Sequence, residues 1–156
     1  MARRDSVVIT LASICEGFAD HVLALLIARA GRNHGTFERL LIKHVGDDFY
    51  SSWDSRLKWL SHGFDLLNPG SRVVQDLRVM VELRNAIVHG DGSLSSFQTR
   101  QLAKQLTLER QLYERLEVTI EARAYYLSGR TVAQAKGISV SFVEELDKAL
   151  TKKLKE

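Results

Sequence analysis

Three side chains with complementary chemistry stand close together in the run Leu83-Arg84-Asn85-Ala86-Ile87-Val88-His89-Gly90. Arg84 carries a permanent planar charge whose fork of N–H donors matches phosphate oxygens. His89 brings an imidazole, the side chain that exchanges protons near neutral pH. Asn85 can both donate and accept a hydrogen bond and so can orient a ligand oxygen or the imidazole. That trio suits chemistry at a phosphate, with Arg84 holding negative charge, His89 moving protons and Asn85 positioning. Spacing alone would not single it out, because Arg29 with His34 and Arg39 with His44 repeat it. Gly31 interrupts the first of these, and Leu40 follows Arg39 in the second. Only the third places a polar residue after the arginine, inside an amphipathic pattern that closes on a glycine.

The element that carries the trio reads as a helix from Ser71 to His89, opened by a serine cap after the Asn68-Pro69-Gly70 turn and stopped at Gly90. Val73, Leu77, Met80, Val81 and Val88 recur at helical spacing as its apolar face. Arg84 falls in that stripe and needs a partner or a snorkelling route there, either as a paired structural arginine or at an interface where it meets a phosphate. Asn85 lies one turn before His89, and Glu82 is close enough to the same line to help orient the imidazole. Arg84 and His89, however, are separated by about 140° around an ideal helix. One phosphate can meet both within a single chain only if the helix end unwinds, whereas a two-fold dimer can bring one copy of each into a shared cleft. A homodimer with a composite site is therefore expected.

The rest of the chain predicts an all-α protein, a compact bundle of four to six helices. Its 156 residues are 45% hydrophobic and 26% charged, with a single proline, and helix formers dominate. A first helix is expected over Ser6–Ala30, with Val7, Leu11, Ile14, Phe18, Val22 and Leu25 as its buried stripe. A short helix follows near Thr36–His44, ended by Gly46-Asp47-Asp48. The segment Ser51–Leu67 carries Trp53, Leu57, Trp59 and Leu60. A long helix from Ser95 or Ser96 is expected to bury Leu102, Leu106, Tyr113, Leu116, Ile120, Ala124 and Leu127 and to end or kink at Gly129. Residues 1–156 read as a single helical domain in which 130–156 form a C-terminal extension of one or two helices broken at Gly137.

The run Glu82–Gly90 resembles the signature of the HEPN superfamily, helical domains that include many metal-independent ribonucleases: an arginine, a polar residue, and a histidine at a helix end, here Arg84, Asn85 and His89. The helical context extends over about Ser6–Leu127. The resemblance implies cleavage of RNA by attack of its own 2′-hydroxyl on the adjacent phosphate, with His89 as acid or base, Arg84 on the phosphorane oxygens and Asn85 positioning. It implies no cofactor and no metal, a dimeric active form, and a setting in prokaryotic defence or toxin–antitoxin biology, with an antitoxin or sensor protein as a further partner. DNA, which lacks the 2′-hydroxyl, would not be a substrate. Some toxins of the family carry a modifiable tyrosine two residues after the histidine; Asp91 stands there, so that form of regulation is not carried over. A non-catalytic nucleotide- or protein-binding module of the same kind is the alternative.

Other signals are weaker. Thr131–Ser139 is similar to the first half of a helix-turn-helix, with Ala133, Gly137 and Val143 at its small, turn and buried positions, but the following segment offers Glu144, Glu145 and Asp147 where contacts to phosphates and base edges want Arg, Lys, Asn or Gln. A small transcription regulator is therefore the least favoured reading. Cys15, the lone cysteine, reads as a small buried hydrophobe. His21, His34, His44 and His62 show no metal-ligand spacing. Trp53 and Trp59 fit core positions better than base-stacking ones. A net charge of +3 and a pI of about 9.1 permit a polyanionic partner such as RNA. The strongest apolar stretch, Val22–Ala28, is short for a bilayer span, and no secretory cleavage pattern follows the N-terminus. A cytoplasmic protein with no membrane partner is expected.

Overall fold

In a computed structural model that describes residues 2–32 and 35–155, helices α1 (Ala2–Arg32), α2 (Thr36–Phe49), α3 (Trp53–Lys58), α4 (Arg72–His89), α5 (Leu102–Leu116) and α6 (Gly129–Lys155) build an all-α bundle. A π-helical turn, Trp59–Gly63, follows α3, and a hairpin of β1 (Thr119–Glu121) and β2 (Ala124–Tyr126) separates α5 from α6. Arg4 reaches the Leu127 carbonyl just ahead of α6, and Arg29 reaches the Lys153 carbonyl near its end, so α1 and α6 run side by side in one direction. Ser71 meets Glu145 and Met80 meets Ser139, so α4 runs against them. Leu23, Leu77, Met80, Leu83, Phe142 and Leu146 are the largest side chains closed off between these three helices.

The buried stripe of α1 is Val8, Ala12, Cys15, Ala19, Val22, Leu23 and Leu26, one residue round from the expected one. Val7, Ile14 and Leu25 face outward. Three of the buried residues are small, and a small-residue face lets a neighbouring helix approach closely; that gain, invisible to a count of large apolar residues, sets the rotation of the helix. Cys15 is fully buried, as expected of a small hydrophobe. By length and mean hydropathy, 1.6 over its best stretch, α1 would also suffice to cross a bilayer, which corrects the reading of Val22–Ala28 as the whole of its apolar run. In this fold a third of that stretch is buried against the bundle, and Val7, Ile14 and Leu25 remain exposed.

α2 does not stop at Gly46-Asp47-Asp48 but continues to Phe49, whose ring packs 4.4 Å from Trp59. The π-turn is where that indole settles: its Nε1 donates to Asp48 at 3.3 Å, and a side chain at Gly63 would strike the ring. Trp53 packs edge-on against Phe142 at 6.0 Å, so both tryptophans serve the core.

The long helix expected to reach Leu127 ends at Leu116. Glu117 turns left-handed, and the N–H groups of Glu117 and Val118 close back onto Tyr113 and Leu112. Ala122 and Arg123 then take positive φ to make the hairpin turn, without the Asn-Gly pair that usually announces one. Leu102, Leu106 and Tyr113, expected to be buried, are 69%, 56% and 64% exposed, whereas Leu112 and Leu116 are fully buried. Gly129, expected as a stop, begins a helix instead: Ser128 Oγ accepts the N–H groups of Arg130 and Thr131. α6 passes through Gly137 without a break, so the turn of a helix-turn-helix is absent there. A mid-helix glycine costs only about 1 kcal/mol, and burial of Ala135, Ile138, Phe142, Leu146 and Leu150 outweighs it. The stretch expected as an extension thus supplies one wall of the core.

Candidate functional site

α4 is held at both ends. Ser71 Oγ accepts the Val74 N–H at 3.3 Å, and the Gly90 N–H donates to the Ala86 carbonyl at 2.8 Å, so regular helix persists through His89. Gly90 has φ −103°, which any residue can adopt; the glycine is required instead by space, because a methyl group there would overlap the Ser93 carbonyl oxygen. The following segment is not a free loop. Leu94 N–H donates to the Arg123 carbonyl at 2.9 Å, Tyr125 N–H donates to the Gly92 carbonyl at 3.2 Å, and Ser93 forms a single antiparallel bridge with Ala124, so Gly92–Leu94 is tied to the edge of the hairpin. The end of α4 that presents His89 is clamped by an element separated from it by the whole of α5.

Arg84 and Asn85 are half-buried and line a cleft of about 440 Å³ between α1, α4 and the start of α3. Three acids and three arginines share its walls, and most are already committed. Arg56, only 6% exposed, forks onto Asp20 at 2.6 and 3.1 Å and reaches Glu16 at 3.1 Å. Burial by itself would lower the Arg56 pKa, but the hydrogen bond and charge of Asp20, with Glu16, outweigh it and raise it above the usual value. Arg78 pairs with Asp54 at 2.6 Å. Glu82 accepts from Gln98 Nε2 at 2.7 Å, so it braces the chain after Leu94 and does not orient the imidazole. Arg84 has no carboxylate within ion-pairing distance among the described residues; its Nη1 donates to Asn85 Oδ1 at 3.2 Å. A half-buried guanidinium held by a neutral amide keeps most of its donors for a ligand.

His89 is exposed and lies outside this cleft. Five residues along a regular helix separate it from Arg84 by about 140°, so the structure brings Arg84 and Asn85 together within one chain and leaves His89 on another side. Val88, expected on the apolar face, is likewise exposed. Of the other pairs at the same spacing, Arg39 and His44 are exposed on α2, and His34 lies outside the described residues.

Sequence reading missed the Arg56 cluster. Its signal was Glu16 and Asp20, two acids one turn apart in an otherwise apolar helix, which together demand a cation. Tyr50 at the cleft rim was missed as well; burial first, and then the charge of Asp20, raise its pKa, so its hydroxyl loses its proton only at higher pH than a free tyrosine's.

Comparison with protein-family models, curated proteins and solved structures finds no match to this chain.

Proposed function

We propose that this protein is a metal-independent endoribonuclease of the kind implied by its resemblance to the HEPN superfamily, working as a homodimer in a cytoplasmic setting of prokaryotic defence or toxin–antitoxin type. The observation that carries the reading is the state of Arg84: a guanidinium without an ion-pair partner among the described residues, beside Asn85, on the helix that ends at His89. Arg56 and Arg78 are taken up by Glu16, Asp20 and Asp54, and Glu82 is bonded to the neutral Gln98, so Arg84 is the guanidinium on the cleft wall without a carboxylate partner, and its fork of donors fits a phosphodiester.

In the proposed reaction the 2′-oxygen attacks phosphorus, forming the new P–O2′ bond, while the P–O5′ bond breaks. The 2′-hydroxyl proton passes to a base, and O5′ leaves as a hydroxyl after taking a proton from an acid. The products are a 2′,3′-cyclic phosphate and a 5′-hydroxyl end. His89 fills one proton-transfer role, Arg84 neutralises the extra charge on the phosphorane oxygens, and Asn85 holds Arg84 and the substrate in register. Because Arg84 and His89 diverge on one helix, the His89 that serves a given Arg84 comes from a second copy.

Cleavage of total RNA and of a tRNA pool in EDTA tests this. Wild type is expected to cut and leave 2′,3′-cyclic ends. His89→Ala should lose about 10²–10⁴-fold in rate, and Arg84→Ala about 10²–10³-fold. Equal cutting by all three proteins would remove Arg84 and His89 from the reaction.

The exposure of His89 away from the cleft favours one second reading, a module that binds nucleotide or a phosphorylated ligand at Arg84 without cleaving it. Binding of RNA by wild type with no new ends at high protein concentration would select it.

A further inference from the structure

The cleft at Arg84 does not end at α4. Glu82 and Phe97 form its far wall and are also the near wall of a second, larger groove of about 610 Å³, which continues along α5 past Arg100, Gln101, Lys104 and Gln111. Phe97 thus stands on the ridge between the two. It is 79% exposed, the most open of the large apolar residues described. A single exposed aromatic is ordinary on a protein surface. This one sits on a segment that is tied down rather than loose: Gln98, 8% exposed, accepts the Ser95 N–H at 3.0 Å and donates to the Glu82 carbonyl at 2.9 Å and carboxylate at 2.7 Å. The Thr99 N–H donates to the Ser95 carbonyl at 3.1 Å. The Arg100 guanidinium stands 6.0 Å from the centre of the Phe97 ring, and Lys104 follows one turn along the groove.

We propose that Phe97 and the α5 groove form a subsite for single-stranded RNA beside the phosphate held at Arg84, with a base stacked on Phe97 and the flanking phosphates met by Arg100 and Lys104. The inference rests on the reading of Arg84 as a phosphate receptor. An exposed ring on a hydrogen-bonded segment, with Arg100 beside it and Lys104 in the same groove, is the combination that single-stranded nucleic acid uses: the base face needs a π-surface of any sequence, and the backbone needs charge. The groove's lining adds Gln98, Gln101 and Gln111, amides that can both donate and accept, and Glu82 is already engaged by Gln98. Continuity across the Phe97 ridge gives one strand a path from the groove to Arg84 without crossing the bundle.

The test uses a 2′-O-methyl oligoribonucleotide, which binds but cannot attack its own phosphate, and follows its affinity by fluorescence anisotropy. Phe97→Ala is expected to weaken binding by about 5- to 100-fold, and Phe97→Trp to restore it with quenching of the new indole emission. Arg100→Gln combined with Lys104→Gln should reduce the slope of log affinity against log salt by roughly 1.4, about 0.7 for each phosphate that a side chain no longer neutralises on a single strand. Unchanged affinity in Phe97→Ala, while Arg84→Ala weakens binding, would overturn the subsite and leave the Arg84 reading standing. A halving of the particle mass in Phe97→Ala, measured by light scattering, would reassign the ring to a contact with a second copy. If wild type binds the oligonucleotide as described but never cuts unmodified RNA, the cleavage reading falls and the subsite stands; if it binds none while unmodified RNA is cut, the subsite falls and the cleavage reading stands.

Discussion

What distinguishes Arg84 from the other arginines around it is the identity of its neighbour. Arg56 and Arg78 each meet a carboxylate, and Arg84 meets the neutral amide of Asn85. Substituting Asn85 by Asp should therefore close the receptor: an ion pair one residue away competes with a phosphate for the same donors. Asn85→Asp is expected to weaken RNA binding at least tenfold while leaving the melting temperature within a few degrees, as fluorescence anisotropy and thermal unfolding would report. Cys15 shows the same dependence on surroundings with opposite consequence. Burial, only partly opposed by a hydrogen bond with Ser139, raises its thiol pKa. The folded protein therefore holds less thiolate than a free cysteine at any pH below that raised value. Alkylation of native Cys15 at pH 8 should be far slower than in denaturant, and its rate should climb only at higher pH than for a free thiol. Rapid labelling of the native protein would contradict this placement.

Among elements, α4 depends most on something far away in the chain. Its last turn is regular because Gly90 leaves room for the Ser93 carbonyl, and Gly92–Leu94 stays in place because the β1–β2 hairpin takes up its hydrogen bonds. Gly90→Ala forces an overlap with backbone rather than with a flexible side chain, so it should destabilise the fold by about 1–3 kcal/mol. His89 would move with the loop, and RNA cleavage should fall even where the protein remains folded at the assay temperature. A Gly90→Ala protein with wild-type stability by chemical denaturation would show that the close approach is dispensable. The outer face of α5 makes a contrasting case: Leu102, Leu106 and Tyr113 sit at helical spacing yet face outward, because Leu112 and Leu116, with Leu108 partly buried beside them, dock α5 on the core and the chain then turns away at Glu117.

For the molecule as a whole, the divergence of Arg84 and His89 turns a question of mechanism into one of assembly. If each active site takes Arg84 from one copy and His89 from another, two inactive variants complement each other. Mixing Arg84→Ala with His89→Ala under conditions that exchange subunits should restore part of the wild-type cleavage rate: in a two-fold dimer, each mixed pair holds one site with both residues and one with neither. Light scattering at the same concentrations should report a dimer. A monomer that cuts RNA, or a mixture as inactive as its components, would place both residues in one chain's site and require the end of α4 to unwind.

Several properties were written locally and could be read without a structure. The α4 boundaries followed from a serine after a Pro-Gly turn and a glycine after a histidine, because caps are interactions between residues close in sequence. The all-α class followed from helix formers outnumbering every strand pattern. Tertiary structure decided what depended on distant partners. The rotation of α1 was set by how closely small residues let its neighbours approach, and the end of α5 by a hairpin whose turn, Ala122-Arg123, carries no local signal. Continuity of α6 through Gly137 came from a core that outweighs the glycine's preference. The freedom of Arg84 was decided in the same way. The sequence offers Glu16, Asp20, Asp54 and Glu82 as partners, and only packing assigns two of them to Arg56, one to Arg78 and one to Gln98, leaving the guanidinium at the cleft to bind something else.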